Sequence, residues 1–278
     1  MSSYENYHET SRVYDKTRSA AGIEMIRRVL AEGPLSPQQQ VLVDAGCGTG
    51  LYAVALVHEV RRIEAVDLNA GMLATAQSKL TSESKAGRIR FHRAAIDALP
   101  IPDGSADAVM VNQVLHHLPD DPASGWSRHA GVFREFARVL KPGGSVVINS
   151  CSHEQLERGF WFYRLIPEAL QAVKAKVIGL DTLDALLQES GLTHPRREVP
   201  LDVVLQGDSY FRADGILDPD WRRGDSIWSL VAADALSDVL EKLTALREAG
   251  KLEAFMQRHD QPRATTGQVT FTIARKPC

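Results

Sequence analysis

Cysteine is scarce in this chain: Cys47, Cys151 and Cys278 are the only three among 278 residues. An odd number of widely separated cysteines provides neither a disulfide framework nor the spacing of a zinc site. The sequence therefore predicts a reduced, cytoplasmic protein without a metal site. We expect Cys47 and Cys151 to be buried structural residues, because isolated thiols mostly pack as small apolar groups.

Long apolar runs and a large excess of charge are also lacking. No stretch approaches the length that spans a bilayer, and residues 1–18 have none of the apolar core of a signal peptide. The formal net charge of −3 gives no electrostatic attraction for nucleic acid. With 44% hydrophobic residues and no internal repeat, the chain is expected to bury one α/β core and to bind neither nucleic acid nor a membrane.

The most informative segment is residues 41–50, which read VLVDAGCGTG. Its apolar start predicts a short buried strand with Asp44 at the carboxyl end. The three glycines that follow at alternate positions permit positive φ and let a ligand approach the backbone closely. The pattern therefore predicts a strand, a ligand-binding turn and then a helix that begins near Leu51.

Several kinds of cofactor site use a glycine-rich turn after a first strand. A phosphate-binding P-loop needs a Lys-Ser/Thr pair after its glycines, and this chain has none. A dinucleotide fold prefers G-x-G-x-x-G, whereas this turn is G-x-G-x-G preceded by Asp44, which would repel a pyrophosphate. A carboxylate at that place suits a ligand with an ammonium or sulfonium group. A nicotinamide-dependent oxidoreductase stays an open alternative, because it shares the glycine turn.

A second acid follows about twenty residues later. Residues 62–67 (RIEAVD) predict a second strand that ends in Asp67, where a carboxylate can accept hydrogen bonds from both hydroxyls of a ribose. The alternative is that Asp67, with Asn69, only caps the helix predicted over residues 70–80. The glycine turn before it favours ribose binding.

Three later segments also carry the argument, and they follow the glycine turn and Asp67 along the chain. They are residues 91–100 (FHRAAIDALP), 107–112 (DAVMVN) and 140–144 (LKPGG). Together with the glycine turn and Asp67, they make the chain resemble the class I S-adenosylmethionine (SAM)-dependent methyltransferases over about residues 40–150. The resemblance implies a Rossmann-like α/β fold. We expect a seven-stranded, mostly parallel sheet with helices on both faces, an antiparallel last strand and helical cap insertions.

The resemblance also implies how SAM, and its product S-adenosylhomocysteine (SAH), would be held. In the family's pattern the first acid and its turn lie near the methionine portion, the second acid at the ribose, the third segment at the adenine and the end of the fourth strand beneath the methyl group. Many small-molecule members also close a helix with a Tyr-Asp pair and an Arg over the cofactor, although a frayed polar terminus is the alternative here. The expected cofactor-binding residues are Tyr14, Arg18, Asp44, Gly46, Cys47, Gly48, Asp67, Leu68, Ile96, Asp97, Asn112, Gln113 and Val114.

Two histidines follow the fourth strand, near the place where the methyl acceptor should enter. An imidazole is the natural base for an alcohol, phenol or amine proton, so His116 and His117 are candidate catalytic residues. His153, just past the fifth strand, is a comparable candidate. The competing interpretation is that one histidine of the pair packs inward beneath the cofactor.

We expect a single methyltransferase domain over residues 1–278. The sixth strand is predicted at residues 199–205 and a half-exposed seventh strand at residues 268–275, while a long helix is expected to run from about Asp225 into the 250s. The expected parts of the domain are an N-terminal lid (1–35), a SAM-binding core (36–151), two helical caps (152–180 and 206–264) and the last strand (265–278).

Aromatic residues are concentrated in the two caps, although the chain is only 6% aromatic. This favours a small aromatic or apolar acceptor, with packing in the core as the alternative. The sequence thus predicts transfer of a methyl group from SAM to an O, N, C or S atom of a small molecule. It is also compatible with a homodimer. The alternative is a SAM-binding protein on the same scaffold with a regulatory or non-methylating role.

Overall fold

A computed structural model describes Asp15 and residues 17–278, so the expected contribution of Tyr14 lies outside the described residues. The strands are β1 (Val41–Ala45), β2 (Arg62–Asp67), β3 (Ile89–Arg93), β4 (Ala106–Asn112), β5 (Leu140–Ser150), β6 (Thr193–Glu198) and β7 (Thr270–Arg275). They form one sheet in the order β3-β2-β1-β4-β5-β7-β6, in which β7 is antiparallel to both of its neighbours. The predicted Rossmann-like, mostly parallel sheet with an antiparallel last strand is confirmed.

The sheet is covered by helices on both faces. Along β1, Leu42 packs into one core with α1 and α2, and Val43 packs into the other with α5 and α8, because successive strand residues point to opposite faces. The helices are α1 (Ile23–Ala31), α2 (Leu51–Leu56), α3 (Ala70–Lys79), α4 (Thr81–Lys85), α5 (Ser127–Val139), α6 (His153–Arg158), α7 (Pro167–Lys174), α8 (Leu180–Glu189), α9 (Pro219–Arg223), α10 (Ala233–Glu248), α11 (Leu252–Asp260) and α12 (Arg263–Thr266).

The sixth strand lies earlier in the chain than predicted. Residues 199–205 form no strand, and Val199 and Leu201 are 43% and 45% exposed. Pro200 has no N–H to donate to the hydrogen bonds between strands. The apolar residues of this segment therefore predicted a strand that does not form. The paired segment is the polar β6, which lies at the edge of the sheet and exposes its charged side chains.

The seventh strand also differs from the prediction, because β7 is buried between β5 and β6 instead of half-exposed. Its threonines belong to the buried interior, where Thr270 Oγ1 donates a hydrogen bond to Gln155 Oε1 at 3.0 Å. The alternation of apolar and polar residues in β7 therefore belongs to an inner strand whose threonine hydroxyl groups are buried. It does not mark a strand with one face in water.

The long helix predicted from Asp225 is divided into three pieces. Asp225 caps a 3₁₀ turn over Ser226–Leu230, α10 follows, and Gly250 with φ of 65° separates α10 from α11. The predicted first cap is likewise divided into α6, a 3₁₀ turn over Tyr163–Leu165 and α7. Each of the two predicted cap segments is therefore built from several helices joined by turns, and not from one continuous helix.

Aromatic packing joins the two caps. The Phe162 ring lies with its centroid 5.2 Å from that of Trp221, 6.0 Å from that of Trp228 and 6.3 Å from that of Tyr210. All four side chains are buried. Most of the cap aromatics are thus core residues, which was the alternative interpretation of their concentration.

Candidate functional site

The carboxyl ends of β1 and β4 meet where the order of strands in the sheet reverses, which is the usual place for a ligand crevice in an open α/β sheet. A cavity of about 390 Å³ opens there, and a second cavity of about 60 Å³ lies beside the glycine turn. Residues that line both cavities are Arg18, Gly46, Gly48, Asn112, Gln113 and Leu205.

The glycine turn has the backbone that its sequence predicts. Gly46, Gly48 and Gly50 have φ of 80°, 54° and 80°. A Cβ on Gly46 would lie 2.5 Å from Val114 Cγ2, whereas a Cβ on Gly48 would enter open space. Gly46 is therefore required for packing against Val114, which follows β4, and Gly48 leaves the cavity side of the turn open.

Asp44 lies under this turn with only 2% of its surface exposed. Its Oδ2 has no hydrogen-bond partner among the described residues. Burial and the nearby charge of Asp67 raise the pKa of the Asp44 carboxyl to about 8, and burial also raises the pKa of the Cys47 thiol. An unsatisfied carboxylate is costly here, so this end of the site favours a cation or a hydrogen-bond donor.

Asp67 is held by backbone donors at the end of β2. Its Oδ2 accepts a hydrogen bond from Gly48 N and its Oδ1 from Asn69 N, both at 2.8 Å. The pKa of its carboxyl is raised because burial outweighs these hydrogen bonds. The cap of α3 is Asn69, whose Oδ1 accepts from Gly71 N and Met72 N. Each Asp67 oxygen can accept a further hydrogen bond, and Asp67 lines the main cavity.

The predicted adenine end is also part of the main cavity, whose wall includes Leu68, Ile96 and Asp97. Asp97 Oδ2 lies 3.5 Å from Nη1 of Arg128, a residue of α5 that the sequence analysis did not identify. Arg128 is one of many surface arginines in the sequence, and only the packing of α5 brings it to this wall.

The end of β4 supplies an amide with unused hydrogen-bonding capacity. Both side-chain polar atoms of Asn112 are buried and have no partner among the described residues. Gln113 follows with φ of 56°, and its Nε2 donates to Asn149 Oδ1 at 3.0 Å. The backbone conformation of Gln113 is strained for a residue with a side chain, and Asn149 holds it there. Asn112 is therefore available to a ligand in either cavity.

The described part of the N-terminal segment lies against the glycine turn. Asp15 Oδ1 accepts a hydrogen bond from Thr49 Oγ1 at 2.6 Å, and its Oδ2 pairs with Lys79 of α3. Arg18 lines both cavities and donates from Nε to Gly224 O at 2.7 Å. The structure thus places Arg18 at the predicted cofactor site.

The two candidate histidines form a 3₁₀ turn over Leu115–His117 in the wall of the main cavity. The centroids of their rings are 4.0 Å apart. Burial, with Arg18 and Lys176 nearby, lowers the pKa of His116 to about 4, and burial with the neighbouring His116 lowers the pKa of His117. Both imidazoles are therefore neutral near pH 7, and their ring nitrogens can accept a hydrogen bond from a ligand, although the lowered pKa makes them weaker bases than a free imidazole.

His153 is not brought to this site. Its side chain is exposed at the start of α6, and its Nε2 lies 2.8 Å from Val177 O. The remaining wall is mostly aliphatic, and its polar members include Ser150, Tyr163, Asp225 and Ser226. Tyr163 and Asp225 were not among the predicted site residues. Both come from cap turns that have no sequence motif. The aliphatic residues of this wall are Leu115, Leu118, Leu156, Val173, Val177, Ile178, Leu205 and Ile227.

Known proteins resemble this chain in sequence. The sequence model of a family described as "Methyltransferase domain" matches residues 43–148. A demethylmenaquinone methyltransferase of Bacillus licheniformis is 30% identical over 177 residues, which cover 56% of this chain and 72% of that protein. An uncharacterised methyltransferase of Mycobacterium tuberculosis is 31% identical over 122 residues, which cover 44% of this chain. This match spans 56% of the relative, little more than half of its length.

Solved structures share the fold. A candidate methyltransferase from an antibiotic biosynthesis pathway of Anabaena variabilis superposes with a TM-score of 0.73 at 22% identity, covering 93% of this chain and 98% of that chain. A geranyl diphosphate C-methyltransferase of Streptomyces coelicolor, solved with Mg²⁺, geranyl diphosphate and SAH, gives a TM-score of 0.55 at 14% identity, covering 91% of this chain and 78% of that chain. The sheet order, the glycine turn and the sequence relatives agree, and the chain belongs to the class I SAM-dependent methyltransferases.

Proposed function

We propose that this protein transfers the methyl group of SAM to an O, N, C or S atom of a small, apolar or aromatic acceptor. The observation that carries the proposal is the main cavity of about 390 Å³, which joins the ends of β1, β2 and β4 to an aliphatic wall supplied largely by the caps. One end has the acids and glycines suited to a cofactor, and the other has the surface suited to an acceptor.

The residues at the cofactor end suit SAM by their chemistry. Asp44 and Asn112 have buried polar atoms without partners among the described residues, as expected where a polar ligand completes the site. We assign the methionine portion to the small cavity with Arg18, the ribose to Asp67 and the adenine to the wall with Asp97. When bound, SAM supplies an electrophilic methyl group on a positively charged sulfur.

The cap wall would desolvate the acceptor and orient it. Aliphatic side chains of α7 and of the loop after it exclude water from one side, and Tyr163 adds an aromatic surface with a hydroxyl group. The described residues of this wall are mostly aliphatic, which favours a small molecule over a protein or nucleic acid. We propose that residues 152–180 and 206–264 act as caps of one methyltransferase domain, with the described N-terminal residues closing its cofactor end.

His116 and His117 would receive the acceptor proton. Their neutral rings line the cavity between the cofactor end and the cap wall, where a hydroxyl or amine can donate to an imidazole nitrogen. Positioning and desolvation supply the rest of the rate enhancement that this chemistry requires.

Transfer of radiolabelled methyl groups from SAM to a panel of small phenols, amines, thiols and apolar alcohols tests the proposal. We expect label in at least one acceptor, together with formation of SAH. Tight SAH binding without transfer to any member of the panel would support the regulatory alternative and overturn the proposed transferase activity. Absence of binding to both SAM and SAH would overturn the assignment of the cavity itself.

A further inference from the structure

Arg18 and Asp225 form an ion pair that joins the N-terminal segment to the second cap. Arg18 Nη2 lies 3.6 Å from Asp225 Oδ1, and Arg18 Nε donates to the adjacent carbonyl of Gly224. Only 13% of the Arg18 side chain and 5% of the Asp225 side chain are exposed. Because both charges are withdrawn from water, loss of either partner leaves an uncompensated charge in the interior.

Both caps fix the position of the Asp225 carboxylate. Its Oδ2 accepts a hydrogen bond from Gln206 Nε2 at 2.8 Å and lies 3.4 Å from the hydroxyl of Tyr163. Its Oδ1 accepts from Ile227 N at 3.3 Å. Tyr163 and Asp225 both line the main cavity, so this network belongs to the acceptor wall.

The turn that carries Asp225 is fitted closely to the N-terminal segment. A Cβ on Gly224 would lie 2.8 Å from Thr17 Cβ and closer still to Thr17 Oγ1. The backbone of Gly224, with φ of −75° and ψ of −7°, is one that alanine adopts without strain. Glycine is therefore required here by the approach of Thr17 and not by the turn itself.

Arg18 stands at the boundary between the two cavities. It lines the small cavity beside Asp44 and the glycine turn, and it also lines the main cavity beside Asp225. A guanidinium held on one edge by Asp225 and Gly224 O is oriented in advance for a second anion, because its donors are fixed in one plane.

We propose that Asp225 is a positioning residue for the cofactor, which holds Arg18 where its guanidinium meets the carboxylate of the methionine portion. The inference rests on the proposed function and extends it, since Asp225 reaches the cofactor only through Arg18. The Gly224–Asp225 turn thereby makes the second cap part of the cofactor site as well as of the acceptor wall.

A double-mutant cycle on SAH affinity tests this positioning role. Calorimetric titration is carried out on the wild type, Arg18→Gln, Asp225→Asn and the double variant. Each single variant is expected to raise the SAH dissociation constant about tenfold, because each disrupts hydrogen bonds to a charged group. The double variant is expected to bind no more weakly than Arg18→Gln alone. Full additivity, or an Asp225→Asn affinity equal to that of the wild type, would overturn the proposal.

A second variant separates positioning from a general loss of folding. Gly224→Ala removes no charged group but displaces Thr17 and with it the adjacent Arg18, and it is expected to weaken SAH binding by severalfold. Thr17→Gly in the same chain removes the clashing atoms and should restore affinity. Gly131→Ala is the matched control, because a Cβ there meets no atom within 4 Å. Wild-type affinity in Gly224→Ala would contradict the inference.

The two proposals fail in different ways. If the wild type does not bind SAH, the cofactor assignment fails and the positioning role falls with it. If the wild type binds SAH and either the Gly224→Ala or the Asp225→Asn variant binds it equally well, the positioning role alone is refuted.

Discussion

The protonation of Asp44 gives a prediction that can be worked out quantitatively. Its carboxyl has a pKa of about 8 in the folded protein because of burial and the nearby Asp67. An aspartate in an unfolded chain has a pKa of about 3.9, so between pH 5 and pH 7 folding takes up a proton at this residue. The contribution of Asp44 to the free energy of unfolding therefore falls by about 1.4 kcal/mol for each unit of rising pH in this range.

The Asp44→Asn variant has no titratable carboxyl group at this position, so its folding takes up no proton there. The free energy of unfolding of the variant minus that of the wild type should rise by about 3 kcal/mol between pH 5 and pH 7. His116, with its pKa lowered to about 4, titrates in both proteins, so its opposite contribution cancels in the difference. Urea denaturation at pH 5, 6 and 7 measures the effect, with the exposed Glu253→Gln as the control. A difference that is constant with pH would refute the reasoning.

Three further predictions concern separate parts of the site and fold. His117→Gln should lower kcat about a hundredfold for an acceptor with an acidic proton, with little change in SAH affinity, and unchanged kcat in both His117→Gln and His116→Gln would exclude either imidazole as the base. Asp97→Asn should reduce the preference for SAH over its inosine analogue, measured by competition, if Asp97 recognises the adenine amino group; an unchanged preference would contradict that role. Tyr210→Phe should lower the free energy of unfolding by about 2 kcal/mol in urea, because the buried hydroxyl bonds to Asp260, whereas SAH affinity should stay within a factor of two of the wild type. Wild-type stability of Tyr210→Phe would show that this buried hydroxyl contributes little.

The geometry of the proposed cofactor half of the site could be predicted because its determinants are local in sequence. A buried parallel strand, an acid at its carboxyl end and a glycine turn are adjacent in the chain, and the strand order brings Asp67 and Asn112 to the same edge of the sheet. Asp67 lines the cavity and the helix cap is Asn69, while ribose binding by Asp67 stays a prediction.

The acceptor half could not be predicted to the same extent. Asp225 lies in an acidic segment that is typical of a solvated surface, and its burial depends on partners 19 and 62 residues away in the chain, Gln206 and Tyr163. The sixth strand was misplaced for a related reason, because an edge strand with charged side chains lacks the apolar pattern of an inner one. The burial of Asp225 and the position of the sixth strand both depend on contacts between residues that are far apart in the chain.

The most direct test of the whole account is a calorimetric titration of SAH into the wild type and into Asp67→Ala. The account predicts saturable one-to-one binding to the wild type and binding at least about tenfold weaker in the variant, because Asp67 both accepts from the ribose and holds the glycine turn. Absence of binding to the wild type, or equal affinity in the two proteins, would contradict the assignment of the cavity to SAM.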